Sequence, residues 1–141
     1  MSYTHILIPV DGSEPSYKAL EEGLELAKKY GAKATALFVI PKGGEFIDLF
    51  DLKSVREAFK EEGEKVLAKA REIAQKKDFP LALRMAEGKP HEKIVEAAKV
   101  LGCDLIVMGS HGHGSLGKFF LGSCTERVLA EAPCPVLVIK D

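Results

Sequence analysis

The sequence has no excess of charge of either sign. Twenty Lys and Arg residues stand against 21 Asp and Glu residues, so the formal net charge is −1. The chain therefore lacks the bulk positive field that draws a protein onto nucleic acid or onto an acidic membrane surface. We expect no nucleic-acid partner and no membrane partner, and other partners have to be inferred from particular sites.

Long apolar runs and paired cysteines are also lacking. No run approaches the roughly 20 apolar residues of a membrane-spanning helix, and residues 1–4 have neither region of a secretory signal. The three cysteines, Cys103, Cys124 and Cys134, are odd in number and lack C-x-x-C spacing. This pattern predicts neither a disulfide framework nor a zinc site. We expect a cytoplasmic protein with free thiols.

The composition that remains is typical of a globular protein. The chain has 141 residues, of which 46% are hydrophobic and 29% are charged. A core of that share, in a chain of that length, suits one domain. We therefore expect a single domain that spans residues 1–141.

Short apolar runs alternate with longer amphipathic segments along the chain. The runs, closed by Gly, Pro or Asp, predict strands buried on both faces. Segments with apolar residues every three or four positions predict helices. The sequence thus predicts strands at 5–10, 34–40, 81–86, 104–108 and 136–139, and helices at about 14–30, 53–77, 90–101 and 123–130.

This alternation predicts an α/β fold. Right-handed crossovers place helices on both faces of a five-stranded parallel sheet, which makes the fold doubly wound. Ligands bind such sheets beyond the carboxyl ends of the strands, where the strand order reverses. That rule brings residues 9–11 beside the loop that follows Met108. The irregular stretch 41–52 is the best candidate for a mobile flap.

The loop after the fourth predicted strand is rich in glycine. Five glycines lie between positions 109 and 122, and the last of them, Gly122, stands at the start of a predicted helix. Glycines leave backbone N–H groups unshielded, and helix N-termini favour anions, so the loop predicts a phosphate cradle. The alternative is that the glycines serve tight turns alone.

Two familiar phosphate motifs fit this loop only in part. Residues 112–117 match G-x-G-x-x-G, but they follow the fourth strand rather than the first, and the next strand ends in Ile139 and Lys140 without an acidic residue. Residues 112–118 imitate a P-loop, but Phe119 stands where a hydroxyl would hold magnesium. A dinucleotide fold and a P-loop NTPase are therefore both disfavoured.

A third pattern fits in every fixed position. Gly109, Gly112, Gly122 and Ser123 match G-x2-G-x9-G-[ST], and further blocks lie at 8–13 and 133–138. With these three blocks in order, the chain resembles the ATP-binding branch of the universal stress protein family over its whole length. The resemblance implies a Rossmann-like fold of the adenine nucleotide alpha hydrolase type, with strand order 3-2-1-4-5.

The resemblance also implies a ligand and its contacts. ATP is the implied ligand, with Mg²⁺ or Mn²⁺ carried by the phosphates. Asp11 would lie toward the ribose, although an Asp before Gly-Ser also caps helices. Val39 would read the edge of the base. The implied nucleotide contacts are Pro9, Val10, Asp11, Val39, Met108, Gly109, His111, Gly112, Gly122, Ser123, Cys124 and Thr125.

Three side chains in or beside the loop, those of His111, His113 and Cys124, allow other chemistry. His111 and His113 lie two apart on the loop, but without a third ligand nearby they fall short of a metal set, and no protein-bound metal is expected. Cys124 at a helix N-terminus could sense redox state, but a buried, inert thiol is the commoner case. We assign no catalytic residue, because the loop offers no evident general base.

The last strand points to self-association. Residues 136–139 are apolar, and relatives use this edge strand for a two-fold homodimer. The resemblance therefore implies a nucleotide-dependent regulatory switch in stress response that acts on an unknown protein partner. A slow ATPase, possibly stimulated by a partner, and a dimeric interaction module without nucleotide are the alternatives.

Overall fold

A computed structural model describes residues 2–41, 52–112 and 121–140. Within these ranges strands and helices alternate. The strands are β1 (His5–Pro9), β2 (Lys33–Ile40), β3 (Ala82–Glu87), β4 (Leu105–Gly109) and β5 (Val136–Ile139), and the helices are α1 (Glu14–Tyr30), α2 (Leu52–Lys76), α3 (Pro90–Leu101) and α4 (Ser123–Glu131).

The strands form one parallel sheet in the order β3-β2-β1-β4-β5. Both the predicted elements and the order 3-2-1-4-5 are confirmed, with boundaries that move by one or two residues. The order reverses at β1, which has β2 on one side and β4 on the other. The crevice expected of this topology therefore lies at the carboxyl end of β1.

The central strand is buried on both faces. Ile6, Leu7 and Ile8 have no exposed surface. Ile6 and Ile8 belong to the core between the sheet and helices α1 and α2, whereas Leu7 belongs to the core beneath α3 and α4. Each such side chain stabilises the fold by roughly 1.5–3 kcal/mol. The helices thus cover both faces, as predicted.

Helix α1 begins and ends at residues that the sequence marks. The Ser13 hydroxyl accepts a hydrogen bond from Ser16 N–H at 3.3 Å. Gly31 ends the helix in the left-handed conformation, with φ at 66°. Such a conformation costs glycine little, which explains the residue at this position.

The start of β1 is tied to the loop before β4. The Asp104 carboxylate accepts hydrogen bonds from the N–H groups of Thr4 and His5, at 2.9 and 3.0 Å, and from the Thr4 hydroxyl at 3.0 Å. Desolvation acts to raise the pKa of Asp104, but these hydrogen bonds outweigh it and hold the pKa below its ordinary value. The charged carboxylate is therefore the form that fastens the strand.

No helix in the described ranges is long and apolar enough to cross a membrane. The flap predicted at 41–52 falls almost entirely on residues 42–51, which lie outside the described chain.

Candidate functional site

A crevice opens where β1 ends before its two neighbours. The last residue pair between β1 and β4 is Leu7 with Ile106, and the last pair between β1 and β2 is Pro9 with Leu37. Beyond these points β2 continues to Ile40 and β4 to Gly109. The carboxyl ends of β2 and β4 therefore flank a cavity of about 190 Å³.

Ten of the twelve predicted site residues line this cavity together. They are Pro9, Val10, Asp11, Val39, Met108, Gly109, His111, Gly112, Cys124 and Thr125. Gly122 is buried just behind the wall, and Ser123 is exposed at the start of α4; neither lines the cavity. The structure thus brings together segments that are more than 100 residues apart in sequence.

Asp11 joins the cavity to helix α1. Its Oδ1 accepts hydrogen bonds from Ser13 N–H at 2.9 Å and from the Ser13 hydroxyl at 2.5 Å. Since Ser13 is the N-cap, Asp11 supports the helix start, which is the alternative weighed for this residue. Asp11 also lines the cavity, so this structural task is compatible with a ligand contact.

The glycines of the motif are explained by close contacts within the protein. A Cβ atom on Gly109 would lie 2.9 Å from Pro15 Cβ, and one on Gly122 would lie 3.2 Å from His111 Cα. A Cβ atom on Gly112 would collide with the Asp11 carboxylate. The sequence attributes these glycines to the approach of a ligand, whereas the structure shows the protein itself approaching at each of them.

Both ends of the glycine loop are fastened to neighbouring elements. Thr125 donates from its hydroxyl to Gly109 O at 2.9 Å, and Gly122 N–H donates to Ser110 O at 2.7 Å. Ser110 N–H donates in turn to Ile139 O, at the end of β5. The loop's intervening residues, 113–120, with His113 and Lys118, lie outside the described chain.

The first turn of α4 faces the cavity. Gly122 is the N-cap and has no side chain that could accept the first-turn N–H groups. Such N–H groups carry a partial positive charge at the end of the helix dipole. Cys124 and Thr125 of this turn line the cavity. An anion placed here would meet backbone donors rather than side chains.

Val39 presents backbone groups to the crevice. Val10 N–H donates to Leu37 O at 2.9 Å, and Gly88 N–H donates to Ile40 O on the opposite side of β2. Alternate residues of a strand direct their N–H and C=O groups to the same neighbour, so Val39 faces the β1 side, as Leu37 does. Because the pairing with β1 ends at Leu37, these two groups of Val39 open into the cavity.

His111 is the one imidazole among the cavity's described lining residues. Its side chain is buried, and its Nδ1 lies 3.0 Å from the Ser110 hydroxyl. Within the described residues, no three His, Cys, Asp or Glu side chains converge as a metal site would require. His111 therefore contributes a hydrogen-bonding ring rather than a member of a described metal set.

The three thiols of the chain are free, and burial raises the pKa of each. Burial raises the pKa of the Cys124 thiol, and the nearby charge of Asp11 raises it further. This direction is opposite to the lowering that a helix N-terminus would cause on its own. Burial likewise raises the pKa of Cys103 to about 11. The structure thus favours the inert interpretation of Cys124 over redox sensing.

Four lining residues were not predicted from the sequence. They are Ser16, Leu37, Pro90 and Ile94. Pro90 and Ile94 belong to the first turns of α3, and their place beside β2 follows only from the packing of that helix. Leu37 lies two residues before Val39 on the same side of β2, so strand alternation could have indicated it.

Comparisons with known proteins agree with this geometry. The family model described as the universal stress protein family matches residues 2–140. Universal stress protein MJ0531 of Methanocaldococcus jannaschii is 38% identical, over 98% of this chain and 82% of the relative. The solved structure of UspA from Lactobacillus plantarum is 29% identical, with a TM-score of 0.85 and 99% of both chains covered.

A third comparison concerns a structure with a ligand. The universal stress protein from Archaeoglobus fulgidus, solved in complex with dAMP, has a TM-score of 0.73 at 23% identity and covers 99% of this chain and all of its own. At that identity the likeness establishes the shared fold.

Proposed function

The chain belongs to the universal stress protein family, and from that premise we propose that it is an ATP-binding regulatory protein that acts as a homodimer. The nucleotide occupies the crevice at the carboxyl end of β1, and the whole chain, 1–141, works as one domain. The observation that carries the proposal is that one cavity lies between two sets of backbone groups. On one side are those of Val39, which face β1 beyond the last β1–β2 pair, and on the other is the N-terminus of α4.

The base is held at the β2 side of the cavity. Leu37, Met108 and Ile94 give apolar walls that suit the faces of a purine ring. Val39 offers one N–H donor and one C=O acceptor, the complement of the ring nitrogen and amino group on the edge of adenine. The dAMP complex of the Archaeoglobus fulgidus protein supports an adenine nucleotide as a ligand for this fold.

The phosphates extend toward α4. Asp11 is the only formally charged side chain among the cavity's described lining residues, and its carboxylate would repel a phosphate. The ribose hydroxyls, which can donate to a carboxylate, therefore lie beside Asp11, and the phosphates lie at the α4 N-terminus with its backbone donors. A Mg²⁺ or Mn²⁺ ion would be carried by the phosphates.

The regulatory output is the edge strand β5. Ser110, beside the cavity, donates its N–H to Ile139 at the end of this strand. Among the described residues no strand pairs with the outer edge of β5, and Leu137 on this strand is 39% exposed. A second copy pairing at Val136–Ile139 would cover this edge. Nucleotide occupancy then alters the dimer surface that an unidentified protein partner contacts.

Identification of the bound nucleotide tests the proposal directly. The protein is purified without added nucleotide and denatured, and any released small molecule is identified by chromatography and mass spectrometry. About one ATP per chain supports the proposed switch. Recovered ADP would instead favour a slow ATPase, and an empty protein that also fails to bind added ATP would favour the interaction module without nucleotide.

The proposed location is the cytoplasm. All three cysteines are free thiols, as expected in a reducing compartment. Labelling of the exposed lysines by a membrane-impermeant amine reagent before and after cell lysis checks this, because a cytoplasmic protein is labelled only after lysis.

A further inference from the structure

A second, larger cavity of about 580 Å³ lies next to the nucleotide cavity. It is formed between the end of β2 and the first half of α2, and it meets the nucleotide cavity at three residues that line both, Asp11, Val39 and Pro90. Its volume falls within the range of small-molecule sites, roughly 300–1,000 Å³. Nothing in the proposed binding of ATP uses this space.

The walls of the second cavity are mainly apolar and partly aromatic. Phe38 comes from β2, and Phe59 and Val55 come from α2. Phe59 and Val55 are only partly buried, so their surfaces remain available to a ligand. Phenyl rings attract other aromatic rings in offset or edge-on arrangements, and their negative faces also attract cations. The walls therefore suit an aromatic ligand that is neutral or positively charged.

The charges of the second cavity favour a cation. Among its described lining residues, only Asp11 and Glu62 carry formal charge, and both are carboxylates. The pKa of Tyr17 is raised by burial first, and then by the charges of Asp11 and Glu62, so both carboxylates lie near the same phenol. An anion entering this cavity would meet two like charges, whereas an ammonium group would meet two opposite ones.

We propose that this second cavity binds a small aromatic cation, with its ring against Phe38 and Phe59 and its ammonium group toward Glu62 and Asp11. Because the two cavities share Asp11, Val39 and Pro90, the amine and the nucleotide lie side by side. Any effect of one ligand on the affinity for the other must be reciprocal. The site does not depend on the nucleotide proposal, since its walls come mainly from β2 and α2.

A matched pair of probes tests the charge preference. Tryptamine and indole-3-propionate have the same ring and chain length but opposite charges, and each is titrated into the full chain by isothermal calorimetry and by amide NMR. We expect the binding of tryptamine to reach saturation and to change the amide chemical shifts of residues 55–62. Indole-3-propionate should bind at least about tenfold more weakly. Equal affinities, or no saturable binding of tryptamine, would overturn the proposal.

Variants on the exposed side of α2 locate the site. Glu62→Gln removes a lining charge and should lower the affinity for tryptamine about threefold. Glu61→Gln is the control: Glu61 is exposed and does not line the cavity, so the affinity should not change. Ala58→Trp, at an exposed lining position, should obstruct part of the cavity and weaken tryptamine binding at least about tenfold. Equal affinities of the Glu62 and Glu61 variants would contradict the placement.

The experiment also separates this proposal from that of nucleotide binding. ATP is titrated into the wild-type chain and into Ala58→Trp, and we expect the two affinities to agree within about twofold, because Ala58 does not line the nucleotide cavity. Tryptamine binding to a chain that fails to bind ATP would still support the second site. If tryptamine and ATP compete for a single site, or if a second copy of the chain covers this surface and excludes tryptamine, the proposal is wrong.

Discussion

Among single residues, Asp11 connects the stability of the fold with the crevice. Its carboxylate is hydrogen-bonded to the N-cap of α1 and lines the cavity at the same time. A residue with two tasks can be separated experimentally, because each task needs a different property of the side chain. The helix start needs an acceptor oxygen, whereas the ribose contact proposed above benefits from the negative charge.

Substitution of Asp11 should separate these tasks. Asp11→Ala removes the acceptor and should lower the free energy of unfolding by about 1 kcal/mol. Asp11→Asn retains an acceptor oxygen and should keep most of that stability. It should weaken the binding of ATP, because the proposed charge-assisted hydrogen bond to the ribose is lost. Urea unfolding and ATP titration measure the two effects. Equal stability of the Ala variant and the wild type would contradict the role at the helix start.

The glycine at 109 allows a second test at this level. Gly109→Ala places a methyl group within about 3 Å of Pro15 in α1, so we expect it to lower the free energy of unfolding by about 1–3 kcal/mol. Gly122→Ala makes a looser contact, 3.2 Å from His111 Cα, and should cost less. Thermal unfolding of the two variants gives the order. The reverse order would mean that the contact at Pro15 relaxes easily.

Among the helices and strands, the sequence predicted existence, type and order correctly. Apolar runs such as 34–40 are closed by Pro or Gly, and α1 carries both its N-cap serine and its C-terminal glycine, so local chemistry marks the boundaries. Ten of the residues predicted as nucleotide contacts line the crevice, whereas Gly122 and Ser123 of the motif do not. Pro90 and Ile94 were missed because only the packing of α3 against the sheet brings them to the crevice.

The reason for each motif glycine was also out of reach of the sequence. A glycine pattern reports that a Cβ atom is excluded, but not what excludes it. At Gly109 the excluding atoms belong to Pro15, which lies 94 positions earlier in the chain and reaches β4 only through tertiary packing. The same limit applies to the start of β4, which was predicted at Asp104 and lies at Leu105. The Asp104 carboxylate instead accepts hydrogen bonds at the start of β1.

The anchoring of β1 predicts a dependence of stability on pH. The folded-state pKa of Asp104 lies below its ordinary value of 3.8, so the carboxylate stabilises the fold fully above that value and loses this contribution as pH falls through the folded-state pKa. The group is largely solvent-screened, so the contribution should be about 1 kcal/mol. Asp104→Asn should therefore be less stable than the wild type at pH 7.

Urea unfolding between pH 7 and pH 3 measures this difference. We expect the gap between the wild type and Asp104→Asn to be constant above about pH 5 and to narrow below about pH 4. Glu25 provides a comparison on the surface, because the hydrogen bond and charge of Lys77 also lower its pKa, yet the group is fully exposed. A gap that did not change with pH would show that the charge of Asp104 is not what fastens β1.

For the chain as a whole, the proposed homodimer would form at the edge of the sheet at β5. Along β5 no side chain is fully buried, and Leu137 exposes more than a third of its surface. A second copy is the occupant proposed for the outer side of β5, because an apolar strand whose outer edge no described strand covers invites uncontrolled pairing. On its inner side the strand is joined to the crevice wall: Ser110, which stands between the lining residues Gly109 and His111, donates its N–H to Ile139 O.

A charge on this edge should prevent the assembly. Leu137→Lys replaces an exposed apolar side chain, so the monomer should fold with a change of less than about 0.5 kcal/mol, while the lysine opposes strand pairing. Sedimentation equilibrium should show a dimer for the wild type and a monomer for the variant. Lys140→Ala, a change at an exposed residue just beyond β5, serves as the control and should remain dimeric. A dimeric Leu137 variant would move the interface elsewhere.

If the proposed function holds, the hydrogen bond from Ser110 to Ile139 would make nucleotide binding depend on how abundant this chain is. If pairing at β5 and occupancy of the crevice influence each other across this bond, the coupling must act equally in both directions. A cell that raised only the number of copies of this chain would then change the fraction loaded with ATP, although its ATP level stayed constant. Dilution would lower that bound fraction again. The fraction of chains with bound ATP would therefore depend on the concentration of the chain as well as on that of ATP.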